Sequence, residues 1–198
     1  MLTLALAFLP FAIVTAFTPG PNNLMLATSG ANFGFRRSAP HILGIVGGFP
    51  ALVLAVGLGL GAVFQSYPQI HTVLKFTGAA VLVVLAWRVA TASASDGLRP
   101  SGRPLTFLEA ALFQWVNPKA WVFAVGAIAT YTTVSGRAAA EIATILAVSL
   151  LVTIGATVTW TVFGASLSRL LQASPRRLRV FNVGMALLLV LSIALVVA

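Results

Sequence analysis

Residues Ala16–Asn23 read AFTPGPNN and interrupt the first long apolar run of a chain that is 59% hydrophobic. Proline lacks the backbone donor and clashes with the preceding helical turn, and glycine is a poor helix former. Pro19, Gly20 and Pro21 should therefore stop a helix and free carbonyls and amides. Asn22 and Asn23 are placed to satisfy some of these groups or to cap the half-helix that follows. In hydrocarbon, non-helical backbone survives only against protein or a water-filled cavity. The break is then either a loop between two full spans or an interruption within one crossing, as a kinked span or a re-entrant half-helix. The following residues, LMLATSGANFGF from Leu24 to Phe35, are few and polar for a span of their own. Making them a span would also place Arg36 and Arg37 opposite the other basic loops, so the interruption within one crossing is favoured.

Only 12 Lys or Arg and 3 Asp or Glu occur among 198 residues. Apolar runs long enough for a hydrocarbon core of roughly 30 Å recur along the chain. The expected fold is an all-α integral membrane protein of six transmembrane segments, at residues 4–35, 41–64, 70–91, 105–134, 139–167 and 178–198. In a soluble protein the net charge of +9 would suggest nucleic acid. Here it follows from basic cytoplasmic loops, and no nucleic-acid partner is expected. Arg36, Arg37, Arg88, Arg99, Arg103, Arg169, Arg176, Arg177 and Arg179 fall on one side of this layout, against Arg137 and Lys75 near the other. The first side is read as cytoplasmic, which puts both termini outside. The N-terminal residues lack a basic region and a small-x-small cleavage site, and are read as part of the mature protein. With no cysteine, thiol redox chemistry, disulfides and thiolate metal sites are excluded. Two histidines and three acids leave few metal ligands, and no cofactor or metal is expected.

Three segments, the hydrophilic linker SASDGLRPSGRP and three more segments suggest an internal duplication: residues 1–92, a cytoplasmic linker at 93–104, and residues 105–198. An odd number of crossings per half makes the repeats inverted. GAAVLVVLA from Gly78 echoes GMALLLVLS from Gly184, and the fourth segment carries a break of its own at Asn117 and Pro118. Paired breaks in corresponding segments are the best sequence pointer to a transporter's binding site, although a proline kink buried among neighbours is the plainer alternative.

Lys119 lies beside the second break. A lysine at the centre of a spanning helix costs about 2.5–3.5 kcal/mol on insertion scales. Its helical neighbours Trp115, Val116, Val122 and Phe123 are not acidic, and Asp96, Glu109 and Glu141 all lie away from mid-membrane. Lys119 is left with carbonyls freed by the other break, loss of its proton, an anionic ligand, or snorkelling to an interface. Glu109 is a candidate proton relay at the cytoplasmic mouth, but more simply a carboxylate at a helix start. Trp115 and Trp121 flank NPK and either wall a cavity or pack against other helices. The spacings Gly44-x-x-x-Gly48 and Gly57-x-x-x-Gly61 permit close helix approach and say little of substrate.

FTPGPNNLMLATSGANFGFRRS (Phe17 to Ser38), the glycine-rich second segment and FQWVNPKAWVF (Phe113 to Phe123) resemble the lysine exporter/homoserine-threonine resistance family of amino-acid exporters. The resemblance covers nearly the whole chain. The short form and the TPGPNN run look closest to its cysteine and O-acetylserine exporter branch. This resemblance implies two inverted three-helix repeats in a bacterial inner membrane, and proton-driven export of amino acids or their derivatives. By motif it carries over Pro19, Gly20, Pro21 and Asn22 as the first signature, and Asn117, Pro118 and Lys119 as the second. The wider superfamily includes thiol electron carriers and metal permeases, roles that the absent cysteines and scarce acids argue against.

The expected site therefore comprises Pro19, Gly20, Pro21, Asn22, Asn23, Asn117, Pro118 and Lys119, between the two broken helices. Its expected partners are a small amino-acid-like substrate, protons and the lipid bilayer, with self-association left open. Alternatives are a transporter of another small solute or ion, or a non-transporting membrane subunit. No nucleophile–base pair or metal constellation suggests an enzyme.

Overall fold

The structure, a computed structural model, describes residues 1–61, 66–92, 102–133 and 137–197. Most of the expected linker, with Asp96 and Arg99, and the expected ends of the second and fourth segments at Phe64 and Val134 lie outside the described residues. Every regular element among the described residues is helical: α1 (Leu2–Phe17), α2 (Pro21–Arg37), α3 (Ala39–Ala55) with a π-helical turn at Val56–Leu60, α4 (Pro68–Thr91), α5 (Phe107–Phe113), α6 (Pro118–Tyr131), α7 (Ala138–Gln172) and α8 (Pro175–Val197). Among the described residues, three helices are long and apolar enough to cross a membrane, α3 with its π turn, α4 and α7; α1 and α2, bent by 55° at their break, make a fourth if they form one crossing.

The prolines begin helices as well as end them. Pro21 and Pro118 stand in the first turns of α2 and α6, where the missing N–H would have no partner in any case. The fourth segment is thus divided into the seven-residue α5 and the fourteen-residue α6. α7 is longer than expected, at 35 residues and about 52 Å.

α2 lies at the centre although its sequence is among the more polar. Asn23 to Asn32 are all buried, and Pro21 with them. It packs mainly along α7, and the contact is made by backbone. Gly30 faces the Thr161 carbonyl and the Ala165 nitrogen, while Gly164 of α7 faces the Ala27 carbonyl. A methyl group at either glycine would overlap the opposite main chain. α3 approaches α5 in the same manner through Gly44 and Gly48, which face Phe107 and Ala111. The close approach expected of that first spacing is observed. Of the second pair, Gly57 meets side chains of Ile128 and Ile142, but Gly61 meets only its own helix.

One apolar cluster joins α1, α3, α6 and α7 around Phe8, Phe49, Phe123 and Ile145, with Phe11 and Tyr131 packed at ring-centroid distances of 5.1–5.9 Å from Phe8 or Phe123. A second joins α2, α4 and α8 around Met25, Leu82 and Leu189. These clusters flank the two breaks.

Candidate functional site

At the first break, α1 ends with Thr18 N–H bonded to the Val14 carbonyl, and the chain is extended at Gly20 before α2 begins. The freed carbonyls of Ala16 and Thr18 both accept from Asn23 Nδ2, at 2.8 and 2.9 Å. Asn23 therefore turns back to tie the end of α1, and both its amide hydrogens are used. Among the described residues, the backbone N–H groups of Asn22 and Asn23, at the start of α2, have no acceptor. Unpaired amides at a helix N-terminus favour an anion.

The second break is built differently. From Ala111 to Asn117 the chain tightens into i→i+3 turns. Asn117 then caps α6, its Oδ1 accepting from the Lys119 N–H at 3.2 Å. The Trp115 carbonyl, left without a helical partner, accepts from Trp121 Nε1 at 2.8 Å. The two tryptophans thus close the break, packing against the first apolar cluster. Only the first break leaves helix amides open.

The two breaks meet in space. Gly20, Asn22 and Asn23 from one, and Asn117, Lys119 and Ala120 from the other, border a cavity of about 60 Å³, which α7 completes with Thr153 and Thr157. Lys119 Nζ crosses this junction to donate to the Thr18 carbonyl. Among the partners open to it in the sequence, the structure shows the freed carbonyl. Gly20 leaves room for that crossing: a Cβ there would stand 2.8 Å from Lys119 Cδ and 3.0 Å from Nζ. No acid borders the cavity.

Each expected site residue now has a place. Gly20, Asn22, Asn23, Asn117 and Lys119 border the cavity. Pro19 is exposed at the break, Pro21 and Pro118 set helix starts, and none of the three borders it. Glu109 lies apart, at the start of α5. It forms a capping box with Thr106 and accepts from Arg103 at 2.6 and 2.9 Å and from Arg88 at 3.2 Å. The Glu109 carboxylate raises the already high pKa of Arg103 by hydrogen bonding and by charge.

Three features escaped the sequence reading. Gln114, fully buried, exchanges amide hydrogen bonds with Asn22 at 2.8 and 3.2 Å and so joins the two breaks. A lone glutamine in ALFQWVN is the only signal of it. Ser149, Thr153, Thr157 and Thr161 form a buried hydroxyl stripe on α7 at four-residue spacing. Asn32 and Asn182 make a reciprocal buried amide pair between α2 and α8, at 2.8 and 3.0 Å.

A family described as LysE type translocator matches residues 13–198. Cysteine/O-acetylserine efflux proteins of Escherichia coli (strain K12) and Shigella sonnei (strain Ss046) are each 31% identical over 190 residues, covering 95% of this chain and 94% of theirs. The protein of the same description from Escherichia coli O139:H28 is 30% identical over the same span. No solved structure matches this chain. With one family spanning almost its whole length, and relatives at this identity over nearly all of theirs, the chain belongs to the LysE type translocators.

Proposed function

We propose that this chain is a secondary transporter that exports amino acids or amino-acid derivatives across the bacterial cytoplasmic membrane by proton antiport. The observation that carries the reading is the meeting of the two breaks. Two open amides at the start of α2 and the Lys119 ammonium border one cavity that contains no acid. That arrangement suits a carboxylate, which would replace the Thr18 carbonyl as the acceptor of Lys119. Thr153 and Thr157 border the same cavity and face the remainder of the substrate. The relatives are named for efflux of cysteine and O-acetylserine, both small amino acids, and the cavity is small.

The proposed architecture is six crossings in two inverted repeats, residues 1–92 and 105–198. Packing supports it: α1 lies against α7 as its counterpart α5 lies against α3, and the pairs α3 with α7 and α4 with α8 each join corresponding helices. The side rich in arginine is cytoplasmic and both termini are outside. Motion about the first break, with α2 and α7 held together, exposes the cavity alternately. Protonation of Lys119 couples export to proton entry. Glu109 is the alternative relay, but its bonds to Arg103, Arg88 and Thr106 favour a role in anchoring the start of α5.

Counterflow in proteoliposomes with O-acetyl-L-serine, L-cysteine and a panel of other amino acids tests the reading, with and without an imposed pH gradient. Exchange of small amino acids, accelerated by the gradient, is expected. Exchange indifferent to every amino acid would reject it, and gradient-driven transport by a well-expressed Lys119→Gln variant would remove Lys119 from the coupling.

A further inference from the structure

A second and larger cavity, of about 320 Å³, lies on the arginine-rich side of the molecule among α2, α3, α4 and the residues leading into α5. His41, near the start of α3, is one of its walls. The imidazole is 1% exposed, and among the described residues neither ring nitrogen has a hydrogen-bond partner. Buried polar side chains are ordinarily bonded, and a neutral imidazole presents one donor and one acceptor. The other polar groups inside are already engaged: Thr28 donates to the Leu24 carbonyl, and Ser29 shares a hydrogen bond with Ser38. What His41 lacks, therefore, is a partner that both donates and accepts.

The mouth of this cavity carries a charge preference. Arg88 and Arg103 both border it, and the Glu109 carboxylate binds both. Two cations against one anion leave a net positive rim, facing His41 from α4 and from the residues before α5. Met25, Phe33, Leu85 and Val89 make the remaining wall apolar. A small zwitterion meets every one of these conditions. Its carboxylate is drawn in by the rim, its amino and carboxylate groups supply a donor and an acceptor, and its side chain faces the apolar wall.

The two cavities follow the same pair of helices. His41 borders the larger and Ile45 the smaller, one turn or about 6 Å apart on α3. On α2 the walls pass from Asn22 and Asn23 to Met25 and Thr28. We propose that the larger cavity is a loading site, in which His41 binds the amino acid from the arginine-rich side before it reaches Lys119. This rests on the transport reading above but concerns a different set of residues.

The test uses sided membrane vesicles and radiolabelled O-acetyl-L-serine. In everted vesicles, which present the arginine-rich side, His41→Leu should raise the half-saturating concentration about tenfold. In right-side-out vesicles counterflow should keep its wild-type concentration dependence. His41→Gln, which again offers a donor and an acceptor, should stay within about threefold of wild type on both faces. The proposal is overturned if His41→Leu loads normally, which means that the cavity holds water alone, or if it impairs both faces equally, which means a structural role. Lys119→Gln separates this proposal from the one on which it rests. Normal transport by Lys119→Gln, with the one-sided His41 defect intact, rejects the site at the breaks and keeps the loading site.

Discussion

Substituting Lys119 by methionine keeps most of the length of the side chain while removing its charge and its donors. The stability change can be worked from the contacts. Lost is one charge-assisted hydrogen bond to the Thr18 carbonyl, of a class worth about 1.5–3 kcal/mol. That carbonyl is not orphaned, because Asn23 Nδ2 still donates to it at 2.9 Å. Gained is relief from holding an ammonium within the membrane, at most about 2.5–3.5 kcal/mol and less for a group bordering a cavity. The two nearly cancel, so stability should stay within about 1–2 kcal/mol of wild type. For a chain of this size that moves the melting temperature by no more than roughly 4–8 °C. Binding has no such compensation. Losing a charged partner of the substrate carboxylate should raise the half-saturating concentration about 10- to 150-fold. The assays are thermal unfolding in detergent and counterflow in proteoliposomes on the same preparation. Wild-type counterflow by a stable variant would refute a role in substrate binding. A fall in melting temperature far beyond that range would show Lys119 to be chiefly a structural tie between the breaks.

Other substitutions examine the frame around the site. Gly164→Ala places a methyl group in the Ala27 backbone and should cost about 1–3 kcal/mol; Gly184→Ala, inside α8 where nothing lies within 4 Å, should cost nothing and raise the melting temperature slightly. Gly20→Ala meets no backbone penalty, since φ is −169°, but displaces the flexible Lys119 side chain; counterflow should fall severalfold at unchanged melting temperature. Asn182→Leu strips Asn32 of its reciprocal partner and should cost about 1–3 kcal/mol, measured by thermal unfolding. The double variant Asn32→Leu/Asn182→Leu should cost less than the sum of the single changes, because no buried amide is then left half-bonded.

The breaks were legible in the sequence because proline and glycine act on the backbone where they stand. Pro19 to Pro21 and Pro118 needed no partner to be read. Lys119 was legible for a similar reason, since a charge in an apolar run demands an explanation by itself. The partners were not. Gln114 and Asn22 are 92 residues apart, and Asn32 and Asn182 are 150 apart; nothing local distinguishes such amides from solvated ones. The α7 hydroxyls were hidden because Thr157 and Thr161 can bond carbonyls four residues back in their own helix, and do. α2 reads as polar and short, yet it is the most enclosed helix, because its small residues let α7 come close. The asymmetry between the breaks was equally out of reach. It depends on the Asn117 side chain turning forward onto its own helix while that of Asn23 turns back onto another.

The meeting of Gly30 and Gly164 limits how the molecule can move. Helices separated by long side chains slide by changing rotamers, but main chain set against main chain has a single register. A slip of one residue between α2 and α7 would bring Ala31 or Ala165 where only a glycine fits. In the proposed cycle of exposure the pair would therefore travel as one bar. In the proposed cycle, flexing would fall instead to the non-helical link at Thr18–Gly20, bridged among the described residues by two hydrogens of Asn23 and the reach of Lys119. The group that would hold the cargo is also the latch on the hinge.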